Sequence, residues 1–164
     1  MAADTVQETP GVALGTFSVE YHSANVLFHT GATHSFVTAS WVESHNIPVA
    51  PMYPPMRVSS IGGRTQTDRF CPSVRVQIGG IEFPIDLIVM GNWDATIDVI
   101  LGMNWLNKYQ ASLSYDKRTV KLVSLSREEV LVELVLIGPR KGSCHQVTAH
   151  IEEIEPSEAI NLVS

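Results

Sequence analysis

The sequence predicts an all-β domain, folded as a barrel of short strands with one or two short helices. Three observations predict it. Apolar runs are of strand length and are broken by turn residues. Ser73-Val74-Arg75-Val76-Gln77-Ile78 alternates with period two, as a half-buried strand does, and Gly79-Gly80 follows as a two-residue hairpin turn. Helix-compatible sequence is confined to 38–45 and 103–109. Many short strands with few helices imply a barrel.

Taken in order, residues 1–14 are small, polar and unpatterned, and are expected to be mobile. Thr16-Phe17-Ser18-Val19 forms a first strand. Residues 25–28 form a second strand that enters a tight turn, and Ser35-Phe36-Val37 leaves it. Residues 38–45 form a short helix with Thr38 as N-cap. Pro48, Pro51, Pro54 and Pro55 are expected to forbid regular structure over their stretch. Residues 57–60 are extended, and Ile61-Gly62-Gly63-Arg64 is a turn. Residues 81–89 return from the Gly79-Gly80 turn, with Pro84 marking an edge or a bulge. Residues 99–101 form a buried strand and 103–109 a short helix. Residues 111–115 and 119–123 flank Asp116-Lys117-Arg118 as a second hairpin.

From about residue 124 the composition shifts. Residues 124–164 hold seven acidic and three basic residues, against ten and eight before them. Residues 130–137 add one strand, and the sequence beyond Gly138-Pro139 reads as a linker. The expected organisation is a mobile segment 1–14, a domain 15–123, and an extra strand plus acidic linker over 124–164. There is no internal repeat.

Composition narrows the function. At 164 residues and 45% apolar, the chain suits one domain with its own core and a modest extension. A net charge of −6 with scattered Lys and Arg argues against a nucleic-acid-binding face. No apolar stretch approaches the length of a membrane span, and the N-terminus lacks the pattern of a signal peptide. A cytoplasmic or nuclear protein is expected. Cys71 and Cys144 are far apart and match no metal spacing, so reduced thiols are expected.

The most informative segment is Val26-Leu27-Phe28-His29-Thr30-Gly31-Ala32-Thr33-His34-Ser35-Phe36-Val37. It reads as a strand, a loop presenting one side chain at its tip, and a second strand. It resembles the active-site loop of retropepsin-like aspartic proteases: an apolar pair, then Asp-Thr/Ser-Gly-Ala. Where that family has its catalytic Asp, this sequence has His29. A second segment, Asp98-Val99-Ile100-Leu101-Gly102-Met103-Asn104-Trp105-Leu106, is similar to the late motif of the same proteases. Between them, Val58-Ser59-Ser60-Ile61-Gly62-Gly63-Arg64 stands where a flap belongs. Order and spacing resemble the protease of plant Ty3/gypsy-type retrotransposon polyproteins over about residues 16–123. The tail resembles the stretch that precedes reverse transcriptase there.

The resemblance implies a closed retropepsin-like barrel, homodimeric, acting on an extended peptide or polyprotein with water as nucleophile and no cofactor. Two carboxylates about 3 Å apart share one proton; one activates the water and the other donates to the peptide carbonyl. One such loop is half a site, so the second carboxylate comes from a second copy across a two-fold axis. By the same resemblance Thr30 braces the two loops and Gly31 permits close backbone approach. Ala32 lines the substrate cleft, with Ile61, Gly62 and Gly63 above it.

His29 leaves three readings open. The first and favoured one is loss of function. Two imidazoles on an axis disfavour each other's charged form, below the ordinary value of about 6.5, and neutral rings are poor donors to the carbonyl. The second is altered but real hydrolysis. The third is a metal held by His29 of both copies with His34 or His22, although no dedicated ligand spacing is present. The enzyme assignment therefore stays open, with a non-catalytic peptide-binding or dimerisation module as the alternative. Asp86, Asp94 and Asp98 read as surface, turn or structural residues. Trp41, Trp93 and Trp105 read as packing residues rather than base-stacking platforms.

Overall fold

The computed structural model describes residues 12–60, 63–91, 96–114, 116–136 and 152–153. Strands β1 (Val12–Val19) and β2 (His22–His29) form an antiparallel hairpin in unbroken register, with Val12 opposite His29. β1 thus begins ahead of the expected boundary at residue 15, because Ala13 and Leu14 have partners on both sides. Arg75 braces the turn between these strands: its Nε and Nη2 donate to the Glu20 carboxylate at 3.1 and 2.8 Å. These hydrogen bonds hold the Glu20 carboxyl below its ordinary range and the Arg75 guanidinium above its own.

β3 (Phe36–Thr38) leads into helix α1 (Ala39–Ser44), and the Thr38 hydroxyl accepts from the Trp41 amide at 3.3 Å, the cap expected from sequence. The next two strands depart from expectation. β4 (Ala50–Ser60) and β5 (Gly63–Val74) form a long hairpin through Pro51, Pro54 and Pro55. Proline suits extended backbone and lacks only an N–H, so it is excluded from ladder bonds rather than from strands. The ladder shows this, shifting register between Pro51 and Met56. β5 escapes sequence reading because residues 63–72 carry no alternation; hairpin pairing, not burial, extends them.

The alternating run 73–78 is divided at Arg75. β5 ends at Val74 against β8, and β6 (Val76–Ile78) turns to pair with β1. Val74, Val76 and Ile78 are all buried, so the period survives the break. Gly79 and Gly80 take φ of +62° and +81° and close the hairpin to β7 (Ile81–Glu82). The chain breaks at Pro84 before β8 (Ile85–Met90). β9 (Val99–Leu101) lies between β2, to which it is parallel, and β3, to which it is antiparallel. Helix α2 (Met103–Lys108) follows. β10 (Ser112–Ser114), β11 (Thr119–Val123) and β12 (Glu129–Glu133) form a separate sheet that contains the expected second hairpin. β13 (Val135–Leu136) pairs with β1, and β14 (Glu152–Glu153) with β4.

The main sheet runs β14-β4-β5-β8-β3-β9-β2-β1-β6-β7. Its described ladders make an open path, where the sequence predicts a closed barrel: β10–β12, which follow, pair among themselves instead of joining its ends. The fold is mostly β with two short helices among the described residues. None of these helices is long and apolar enough to cross a membrane.

The three central strands are buried on both faces. Val26, Phe28, Val99, Leu101 and Val37 enter the larger core; Leu27, Ile100 and Phe36 enter a second cluster with Ala32, Val58, Ile88 and Ile97. Alternation along each strand sends successive side chains to opposite layers. In the larger core Trp105 packs between Phe28, Phe83 and Tyr109, with ring centroids 5.3–5.8 Å from its own. Its Nε1 donates to the Phe83 carbonyl at 3.1 Å, so the indole is buried without losing a partner. Trp41 is buried as well, as expected for packing residues. Trp93 lies outside the described residues.

Candidate active site

β2 delivers His29 to the end of a doubly buried strand, where the side chain is 7% exposed. Thr30 and Gly31 are exposed and Ala32 is fully buried. The Ala32 amide donates to the His29 carbonyl at 3.3 Å and closes the turn. The Gly31 amide donates to His29 Nδ1 at 3.1 Å. Nδ1 is therefore an acceptor, and the ring's proton is assigned to Nε2. Gly31 is required for this arrangement, since a Cβ there would stand 2.7 Å from His29 Cε1.

The loop rests on the turn between β9 and α2. The Met103 amide donates to the Ala32 carbonyl at 2.7 Å and the Asn104 amide to the Thr33 carbonyl at 3.2 Å. Ser35 Oγ donates to Asn104 Oδ1 at 2.7 Å and accepts from the Gly102 amide at 3.0 Å. A Cβ on Gly102 would meet the His34 carbonyl oxygen at 2.2 Å and that of Ala32 at 2.6 Å. The two sequence motifs therefore form one floor. Ser35 is the residue that sequence reading passed over. Its signal was a small polar residue opening an apolar strand, and here it is 1% exposed and fully engaged.

The carboxylates near the motifs are structural. Asp98 Oδ2 accepts from the Asn25 amide at 2.9 Å and ties β2 to the approach to β9. Asp86 Oδ1 accepts from the Ser73 amide at 2.8 Å. Asp94 lies outside the described residues. Burial pushes the Cys71 thiol up to about 11, and it is free. Cys144 is outside the described residues.

Of the histidines weighed as metal ligands, His22 is placed away from His29. His34 Nδ1 lies 2.9 Å from Thr33 Oγ1. His22 is at the opposite end of β2 from His29 and stacks on His45 with centroids 4.5 Å apart. Among the described residues no group of three potential ligands could hold a metal ion.

Of the expected flap residues, Ile61 and Gly62 lie outside the described residues, and Gly63 opens β5 opposite Ser60. The hairpin reaches the floor through Val58, which is 1% exposed and shares the second cluster with Ala32. A cavity of about 190 Å³ opens beside residues 65–69 of β5 and 89–91, and none of its lining residues belongs to the 29–32 loop.

Residues 1–129 match the retroviral aspartyl protease family. The chain belongs to that family. No curated protein matches it with significance. Among solved structures, the retroviral protease-like domain of Ddi1 from Leishmania major is 16% identical, with a TM-score of 0.57, covering 76% of this chain and 94% of its own. The EIAV protease, in complex with the inhibitor HBY-793, is 22% identical with a TM-score of 0.50, covering 62% of this chain and 90% of its own. At these identities the similarity establishes the fold. This member of the retroviral aspartyl protease family holds the loop that begins at His29 against the Gly102–Asn104 turn through Ala32, Thr33 and Ser35.

Proposed function

We propose that the chain is the retropepsin-like domain of a plant Ty3/gypsy-type retrotransposon polyprotein, with His29 in the position of the catalytic Asp and cleavage impaired. The carrying observation is the Gly31 amide on His29 Nδ1. Nδ1 is bonded to Cγ as Oδ1 of an aspartate is, so it accepts the amide hydrogen bond that a carboxylate in its place would accept. The substitution thereby keeps the loop and loses the acid. A neutral imidazole with Nδ1 engaged has no second oxygen with which to hold and share a proton.

In this reading two copies meet across a two-fold axis, each offering residues 29–32. The pair grips an extended peptide between that floor and the β4–β5 flap, needs no cofactor, and works in the cytoplasm or nucleus. Residues 124–164 carry β12, β13 and β14, with the acidic stretch serving as a connector in the polyprotein. The closed hydrogen bond within the loop also favours a peptide-binding module that does not cut.

The test is a matched pair, the natural chain and His29→Asp. Each is assayed on an extended peptide with apolar residues at the scissile bond, across acidic pH. The variant should cleave at least about a thousandfold faster, with a bell-shaped profile, since a dyad acts as a unit. Sedimentation at tens of micromolar should give twice 18.0 kDa. Equal cleavage by both proteins would make His29 catalytic and refute impairment. Peptide binding by both without cleavage would select the binding module.

A further inference from the structure

We propose that the outer edge of β4 at Val58–Ser59 is a strand-acceptor site, taken by this chain's own acidic segment at Glu152–Glu153, which fastens the flap hairpin over the 29–32 loop. The functional part rests on the reading of the β4–β5 hairpin as a flap. The docking itself does not.

One edge of β4 is paired with β5; the other would expose unpaired N–H and C=O groups, a template for any extended segment. Pro51, Pro54 and Pro55 remove donors from the first half of that edge, and the register shift falls there as well. The stretch that retains its donors is 56–60. β14 pairs within it, antiparallel, with Glu152 opposite Ser59 and Glu153 opposite Val58. This is strand addition, in which main-chain bonds hold the segment and neighbouring chemistry selects it.

Charge identifies the occupant. Residues 50–74 carry Arg57, Arg64 and Arg69 against Asp68 alone. The tail carries Glu152, Glu153, Glu155 and Glu158, with no Lys or Arg after Lys141. The opposite net charges of the two segments draw this tail, rather than a basic one, to the hairpin. The segment is also within reach. β13 ends at Leu136 on β1, and residues 137–151 can span up to about 50 Å, enough to cross a domain of this size.

The position gives the contact its consequence. Val58 is the buried β4 residue of the cluster holding Ala32, and Met52 and Met56 of the same strand pack against it. A strand laid on its backbone stiffens the flap where it meets the floor, so lifting the flap requires releasing the tail.

Amide hydrogen exchange on the full chain tests this, comparing the natural protein with E152P/E153P. Successive amides of a strand point to opposite neighbours, so of Val58 and Ser59 one faces β14 and the other β5. In the variant, the amide facing β14 should exchange at least tenfold faster while the other keeps its rate. Leu27 and Ile100 should be unchanged, which reports an intact fold. Thr65 and Gln66, opposite Val58 and Arg57, should quicken by a smaller factor. Equal rates at both Val58 and Ser59 would overturn the site, and unchanged rates at Thr65 and Gln66 would overturn the fastening. Protection that disappears on tenfold dilution would assign the strand to a second copy and overturn the own-chain occupant. No substrate is present in the measurement, so its failure leaves the reading of His29 standing, and failure of that reading leaves the docking standing.

Discussion

Residues 29–35 and 102–105 form a floor in which four hydrogen bonds cross between the two segments, and Ala32, Ser35 and Trp105 are sealed from solvent. The β4–β5 hairpin is longer; it reaches the core through Val58 near its tip and through Cys71 and Val74 at its far end, and it leaves Tyr53 85% exposed. Both regions are extended backbone with turns. The floor is tightly determined, because backbone bonds from Gly102, Met103 and Asn104 hold the loop, and an added Cβ at Gly31 or Gly102 would meet atoms already in place. Toward its tip, over the described residues of 56–67, the hairpin is defined by the β4–β5 ladder, with Val58 buried and Met56 packed beside it. A family that must hold its reacting groups still and also admit a long peptide needs both kinds of construction.

The sharpest way to break this contrast is Gly102→Ala. Its methyl group would enter a space bounded by backbone oxygens, which no rotamer change clears. The variant should lose at least about 3 kcal/mol in urea denaturation, where overpacking forces the backbone to shift. A loss below that of the next substitution would mean that the floor is the softer region. Val58→Ala, which truncates the buried side chain nearest the hairpin tip, should cost about 1–3 kcal/mol through lost burial and the cavity left behind. The same denaturation curves measure it, and a neutral result would mean that Val58 does not hold the hairpin tip to the core. Tyr53→Ser should change stability by no more than about 0.5 kcal/mol, as an exposed side chain does. A larger loss would show that the proline-rich half of β4 is packed against something in solution.

Local signals made much of the fold legible. The Gly79-Gly80 turn, the Thr38 cap and the alternation at Val74, Val76 and Ile78 each depend on residues next to one another, and each appears in the structure. Of the β4–β5 hairpin only residues 57–60, expected to be extended, and the end at Val74 were legible. Its prolines argue against a strand only where a ladder bond is required, and its polar residues carry no period. The two motifs of the site were legible as residue strings, but their joining was not. Ser35 Oγ reaches Asn104 across sixty-nine positions of sequence, a meeting that only the packing of β2, β9 and β3 creates. The direction of the His29 ring was beyond sequence as well, since one torsion decides whether Nδ1 faces Gly31.

The indole of Trp105 gives the floor an optical reporter. It follows Asn104 directly, is fully buried, and has Tyr109 at 5.3 Å as a near neighbour for excitation transfer. The indole sits among the rings of Phe28, Phe83 and Tyr109 and donates to the Phe83 carbonyl. Loosening of the turn that carries Asn104 therefore shifts the emission to the red before the sheet itself is lost.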